Sequence, residues 1–337
     1  MPTNALQHIT IKGFKSIASI ERIELRPINV VIGPNGSGKS NFLGALELLQ
    51  DAFDEDGLRN YVKFAGGAEK ILHFGSKVTR QIVFGLSFAQ GQYGFELRPT
   101  ANDELYLYGG GFTPGRDPLA SLAWRIYHFN DTSVTSPMRK TATVDDNRFL
   151  RADGANLPAF LYLLRERHKE SYDLIVRTVQ RVAPFFDDFR LYPLLLKPDD
   201  IKLEWRHKKS DQYFDASALS DGTLRFMALA TLLLQPEQYR PSIILVDEPE
   251  LGLHPYAIEM LAALVRQASV TTQVILSTQS SLLLDHVQPE DVLVADRVDG
   301  GTQLTRLESE PLAKWLEDYS LGQLWEKNEI GGRPVPG

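Results

Sequence analysis

Apolar and polar positions alternate through residues 6–25 around Gly13, a period of two that predicts two short strands. Residues 28–32 follow as an apolar, β-branched run broken only by Asn29, and residues 41–49 switch to helical spacing, so a strand should hand over to a helix there. From about 58 to 110 the chain is rich in glycine and aromatic residues, with strand-like pieces at residues 81–88 and 94–97, which reads as antiparallel sheet with turns. The pattern weakens between about 112 and 150, where Pro114, Pro118 and Pro137 interrupt it, although residues 122–129 fit a strand.

Helical intervals return with Phe160, Leu163, Leu164, Leu174, Ile175, Val179 and Val182, which predict one or two helices over residues 157–182. Residues 191–196 and 201–205 are strand-like, and a helix is expected from Ser220 to Leu234, ended by Pro236. A strand at 243–246, a helix at 256–267 and a strand at 273–277 then alternate as in a parallel sheet with crossover helices. The fold class is therefore α/β. No repeat and no sustained heptad run lies between residues 41 and 219, so a long coiled-coil arm is not expected. Near the end, Leu312, Trp315, Leu316, Tyr319, Leu321, Leu324 and Trp325 make residues 311–332 an amphipathic stretch that either packs on its own domain or docks a partner. The tail, residues 331–337, is expected to be mobile.

Composition narrows the chemistry. A chain of 337 residues with 43% hydrophobic content can bury a substantial core. No stretch approaches the roughly 18 apolar residues of a membrane span, and the N-terminus lacks the basic start and apolar core of a signal peptide. A cytoplasmic protein without membrane contact is the expectation. The absence of cysteine rules out thiol catalysis and cysteine metal sites, and the seven histidines show no ligand spacing. A net charge of −7 argues against a surface built throughout to hold nucleic acid. The basic runs at residues 202–209 and 165–169 read as solvated faces or as a local patch.

Directly after the apolar run, residues 33–40 read GPNGSGKS, which fits the phosphate-binding pattern GxxxxGK[ST] without mismatch. Asn35, Gly36, Ser37 and Gly38 would turn backbone amides toward phosphate oxygens, with Asn41 opening the following helix. Lys39 supplies charge for the terminal phosphates, and Ser40 offers a hydroxyl to Mg2+. Further on, Asp247 and Glu248 end the apolar strand at the edge where open α/β sheets bind ligands. Asp247 is suited to hold the metal and Glu248 to polarise an attacking water. Ser220 and Gly222 in Leu-Ser-Asp-Gly precede a helix, where they could present hydroxyl and amide donors to a γ-phosphate; alone, such a segment is a helix cap.

The order GPNGSGKS, LSDGT, ILVDEPELGLHP, ILSTQS resembles that of ABC-type ATPases, most closely their RecF-like and OLD-like branch and the stand-alone AAA-family ATPases of bacterial genomes. Residues 9–17, ITIKGFKSI, also resemble the opening strand of SMC proteins, whose basic residue approaches the nucleotide. That likeness makes Lys15 a candidate phosphate contact, a surface lysine being the alternative. What the resemblance implies is an ABC-ATPase head with a P-loop parallel-sheet core, an antiparallel β subdomain and a helical lobe. A single domain over residues 1–337 would divide into an N-terminal lobe (1–110), an inserted lobe (111–215), the signature and switch region (216–300) and a C-terminal segment (301–337).

Ser220 and Gly222 match the signature, Asp247 and Glu248 the magnesium-and-base pair, and residues 249–255 the dimer-facing loop with the histidine typical of the RecF/OLD branch. The class implies ATP and Mg2+, with a head-to-tail dimer in which one signature closes over the other subunit's ATP. Gln279 stands at the switch position where most of these families have histidine; it hydrogen-bonds but carries no charge, which implies slow or partner-dependent turnover. Three readings follow. The first is a dimeric ATPase controlling a separately encoded effector, plausibly a nuclease, in DNA repair or anti-phage defence. The others are an ATPase that binds DNA directly and a nucleotide-binding scaffold with little turnover.

Overall fold

The computed structural model describes residues 5–113 and 124–332. Pro114, Pro118 and residues 122–123 of the expected strand lie outside these, as do residues 333–337 of the tail. Contacts divide the chain into two units, the first comprising Met1–Arg125, Ser242–Leu245 and Thr272–Gly337, the second Ile126–Pro241 and Val246–Thr271.

In chain order the elements begin with β1 (Leu6–Phe14), β2 (Ile17–Glu24), β3 (Ile28–Ile32), α1 (Lys39–Asp51), α2 (Glu55–Ala65) and α3 (Ala68–Ile71). Then come β4 (Ile82–Phe88), β5 (Gly91–Pro99), β6 (Leu105–Thr113), β7 (Trp124–Tyr127), β8 (Ala142–Thr143), α4 (Leu157–Arg167) and α5 (Lys169–Val182). The next elements are β9 (Phe186–Arg190), β10 (Pro193–Leu194), β11 (Lys197–Ile201), β12 (Glu204–His207), β13 (Tyr213–Asp215) and α6 (Asp221–Leu234). Last are β14 (Ile243–Asp247), α7 (Pro255–Ala268), β15 (Gln273–Ser277), α8 (Ser281–Leu284), β16 (Val292–Val298), β17 (Gly301–Arg306), α9 (Ser309–Leu316) and α10 (Leu321–Glu326).

The first unit contains an antiparallel sheet ordered β2-β1-β4-β5-β6. A six-stranded sheet is ordered β17-β16-β3-β15-β14-β7, and the chain leaves the first unit within β7 and again within β14. β3 runs parallel to both β15 and β16 and is buried at every residue, which is why it shows no alternation. In the second unit α6 packs with α5 and α7. Every residue of α6 from Leu224 to Leu234 is buried, Arg225 and Thr231 among them, so this largely apolar helix is enclosed all round, as a core helix must be. Two small antiparallel sheets, β10-β11-β8 and β13-β12-β9, complete that unit.

Several expectations need correction. The antiparallel sheet expected from residue 58 starts only at β4, because residues 55–65 form α2. Asp54 caps that helix through the Asp56 amide, Leu58 and Val62 bury its inner face, and left-handed Gly66 ends it. Leu191, although buried, precedes a strand of only two residues, and Leu195 and Leu196 form a hairpin tip with more than 90% of their surface exposed. The strand expected at 201–205 divides between β11 and β12. β16 and β17 were not expected. Among the described residues no helix is long and apolar enough to cross a membrane.

At the end of α1, burial raises the Asp51 pKa from 3.8 to about 6, with Glu47 and Asp54 adding repulsion. The folded chain therefore holds this proton more tightly than the unfolded one. The stabilisation is fully present below about pH 4 and is lost as pH rises through about 6. Asp51→Asn should leave the thermal midpoint near pH 4 unchanged and raise it above pH 6. Scanning calorimetry across that range checks this; a gain independent of pH would contradict it.

Candidate functional site

The phosphate loop leaves the C-terminal end of β3 and re-enters regular structure at α1. Its first glycine is wedged against β16: a Cβ on Gly33 would stand 2.3 Å from Ala295 O. Gly38 has φ 105°, and a Cβ there would meet Thr302 Oγ1 at 2.0 Å. Neither position admits a side chain. Lys39 is buried, and its Nζ donates to Gly33 O at 2.8 Å and Pro34 O at 3.1 Å, which offsets the cost of burying an ammonium. Ser37 Oγ is buried and finds no hydrogen-bond partner among the described residues, leaving a donor inside the loop. Asn35, Gly36 and Ser40 are exposed, and Asn41 is half-buried.

A relay of hydroxyls fixes this loop. Thr302 Oγ1 donates to Ser37 O at 2.8 Å, and Ser16 and Thr302 share a 2.7 Å hydroxyl pair. Because the Thr302 proton goes to Ser37 O, Ser16 donates to Thr302, and Asn41 Nδ2 donates to Ser16 Oγ at 2.7 Å. The turn between β1 and β2, the start of β17, the loop and α1 are thus tied together. Ser16 and Thr302 were missed as functional candidates; Ser16 follows Lys15 directly in the FKS segment, but nothing in the local pattern marks Thr302.

Lys15 lies in that same turn with φ 45°, its amide donating to Ile71 O at 2.7 Å and its carbonyl accepting from His73 Nδ1 at 2.6 Å. Its ammonium stands 5.3 Å from the Phe14 ring and beside Gly44, one turn into α1. Burial lowers its pKa, with Glu47 acting against the shift. Gln279 is exposed just past β15, where Ser277 pairs with Val31 and Thr278 N donates to Val31 O at 3.0 Å. Gln279 and the phosphate loop therefore share one sheet edge.

Ser220, Gly222, Asp247 and Glu248 belong to the second unit. Exposed Ser220 caps α6, its Oγ accepting from Thr223 N at 3.2 Å. Gly222 has a stricter reason: a Cβ there would stand 2.2 Å from Gly252 O, so the signature turn lies backbone to backbone on the loop after β14. Arg139, with a side chain 7% exposed, holds this turn by donating to Leu219 O at 3.2 Å, Asp221 Oδ1 at 2.9 Å and Ala216 O. Buried Arg225 donates to Phe129 O and Asn130 O at 2.9 Å each. Burial lowers its pKa, opposed by Asp221 and Glu250.

Half-buried Asp247 ends β14, and Glu248 follows at φ 45°. That left-handed conformation costs a residue with a Cβ about 1–2 kcal/mol, so the surrounding loop must impose it. Leu251 N bonds back to Glu248 O at 3.2 Å. His254 caps α7, its Nδ1 accepting from Tyr256 N at 3.3 Å, which gives this histidine a structural task. Four side chains of the basic runs pair within their own unit: Arg206 with Asp187 at 2.5 Å, Lys202 with Asp215 at 4.0 Å, Arg165 with Glu166 at 3.1 Å, and Lys169 with Asp173.

A glycine-built loop on a buried parallel strand, an orphan hydroxyl inside it and a carboxylate pair ending another strand define a nucleotide-binding head of the ABC type. A family model described as "AAA domain, putative AbiEii toxin, Type IV TA system" matches residues 28–285, more than half of the chain. The chain belongs to this family, within the RecF/OLD/SMC branch of ABC/AAA-type ATPases. The Old nuclease of Escherichia phage P2 is 23% identical over 94% of this chain and 64% of that protein. The chromosome partition protein Smc of Desulfitobacterium hafniense (strain Y51) is 38% identical over 23% of this chain and 6% of that protein. The chain thus spans less than two thirds of either relative. An Smc head domain from Pyrococcus furiosus, solved with the C-terminal domain of ScpA, shares the fold at TM-score 0.61 and 15% identity, covering 93% of this chain and 98% of that one. Another Smc head, bound to the C-winged helix domain of ScpA, superposes with TM-score 0.64 at 16% identity, over 91% and 99% of the two chains.

Thr302→Val keeps the shape of the side chain and removes the hydroxyl that joins Ser16 to Ser37. ATP affinity should fall about tenfold, the loss expected for one hydrogen-bonded brace. Titration with a fluorescent ATP analogue measures it, and unchanged affinity would show that the relay does not hold the loop.

Proposed function

We propose that this chain binds and hydrolyses ATP as a head-to-tail dimer and uses the resulting closure to control a separately encoded effector, plausibly a nuclease, in DNA repair or anti-phage defence. The observation that carries the ATP site is the phosphate loop itself, in which Gly33 and Gly38 leave no room for a Cβ, Lys39 is buried against the loop carbonyls, and the Ser37 hydroxyl has no partner among the described residues. Backbone amides of residues 35–40 and Lys39 would hold the phosphates, and the start of α1 would add its positive end. Lys15 is assigned a phosphate contact by its likeness to SMC heads. The same resemblance assigns Mg2+ to Ser40 and Asp247, each of which carries the oxygen donor that this ion prefers, and the ion would neutralise phosphate charge. Glu248 would orient and deprotonate the attacking water, with Gln279 hydrogen-bonding at the γ-phosphate.

The dimer draws support from the signature's exposure. Ser220 stands at the solvent-facing N-terminus of α6, and the loop after β14 and the first turn of α7 expose Leu251 and Tyr256 by 49% and 45%. A second copy covering this face would bring its nucleotide to Ser220 and Gly222. Residues 1–337 would act together as one ATPase head. Pairing of Arg206, Lys202, Arg165 and Lys169 with local acids favours a protein effector over direct DNA binding. Gln279 keeps slow turnover in view and, with it, the scaffold reading.

Glu248→Gln should preserve ATP binding and block cleavage. Gel filtration with ATP and Mg2+ should then show a stable dimer that the wild type forms only transiently. A variant that stays monomeric, or Lys39→Ala with wild-type turnover, would falsify this function.

A further inference from the structure

One short C-terminal segment touches both parts of the phosphate-loop edge. α10 sits directly on α8: Gly322 N donates to Asp285 Oδ1 at 2.8 Å, and a Cβ on Gly322 would stand 2.3 Å from Ser281 O. α8 has only four residues, too few to persist without tertiary support, and its cap Ser280 follows Gln279 directly. α10 therefore supports the segment that begins immediately after Gln279.

Beyond α10 the chain turns back toward the loop. Trp325 Nε1 donates to Gly332 O at 3.3 Å, and Gly332 N donates to Asp296 Oδ1 at 3.1 Å. A Cβ on Gly332 would lie 3.4 Å from Gly33 Cα. Arg297, next to Asp296, reaches Gly36 O at 3.4 Å. Leu321, Leu324 and Ile330 are buried and anchor the segment. A helix that merely covered the core would need these apolar anchors alone. Here a glycine brings backbone onto backbone at one end, and an indole N–H fixes a second glycine against the phosphate loop at the other.

We infer that Gly322 and Trp325 are positioning residues: residues 321–332 clamp the Gln279 segment and the phosphate loop together and so set where Gln279 stands against the γ-phosphate. This rests on the ATPase reading above. The clamp lies beyond residue 285, where the family match ends, so it is a feature of this chain outside the matched region.

Two variants test it. In Gly322→Ala the added methyl must push Ser281 away, so amide exchange at Leu283 and Leu284 should accelerate in the protein without nucleotide. ATP turnover per nucleotide-binding site should fall about tenfold, the scale of a modest misplacement, while KM for ATP moves less than about twofold. Trp325→Phe removes only the indole N–H donor and its ring, and should accelerate exchange at Ser37 and lower kcat in the same sense with the thermal midpoint nearly unchanged. Unchanged exchange at these amides in both variants overturns the clamp. So does an effect that falls on KM, or an unchanged kcat in a chain whose turnover Lys39→Ala abolishes. If the wild type binds ATP without turning it over, the ATPase reading fails alone, and the nucleotide-free exchange decides the clamp.

Discussion

Close approach of neighbouring atoms to bare glycine backbone is the constraint on which the first unit's site depends. The phosphate loop can curl only because Gly33 lies against the Ala295 carbonyl and Gly38 against Thr302, contacts that a single methyl group would destroy. β16 and β17 are therefore part of the site, although neither carries a phosphate-binding motif. The same strands bring Thr302 to Ser16 and Ser37, so the loop's shape is set by residues nearly the whole chain apart. A loop held this way can keep its amides oriented before any phosphate arrives, which is what makes electrostatic positioning effective.

The second unit uses the same device. Gly222 presses on Gly252, Arg139 ties the signature turn from below, and Glu248 is held in a left-handed conformation beside Asp247. Strain at such a residue persists only where its surroundings over-determine it, and it is commonly found where a side chain must be aimed. Arg225 contributes by reaching back to the carbonyls of residues 129 and 130, which anchors α6 at its first turn. Signature, carboxylate pair and the loop after β14 thus form one local construction rather than three adjacent motifs.

Much of this was legible in the sequence, for reasons that differ by element. The phosphate-loop strand, α6, β14, α7 and β15 announce themselves because buried runs and helical periodicity are local properties of the chain. β16 is not legible in the sequence because its short apolar run resembles any buried segment, and its strand character comes from pairing with β3 and β17. α2 was masked by glycines and aromatic residues that suggested turns, yet Asp54 and Gly66 are its caps. In the site, residue types that chemistry demands, such as Lys39, Asp247 and Glu248, could be read directly. Ser16, Thr302, Arg139 and the clamp at Gly322 could not, since each acts through a partner distant in sequence. The histidine at 254 fits the RecF/OLD pattern in sequence, and the structure gives it a local role as the cap of α7.

The central claim is that one working site is made by two chains. It is tested most directly by mixing two inactive variants, Lys39→Ala in the phosphate loop and Ser220→Arg at the signature, and measuring ATP turnover. Half of the dimers in an equal mixture would pair one variant with the other and keep one intact composite site, so roughly a quarter of wild-type activity should return. No recovery on mixing, or full activity of the Ser220→Arg chain by itself, would contradict the account.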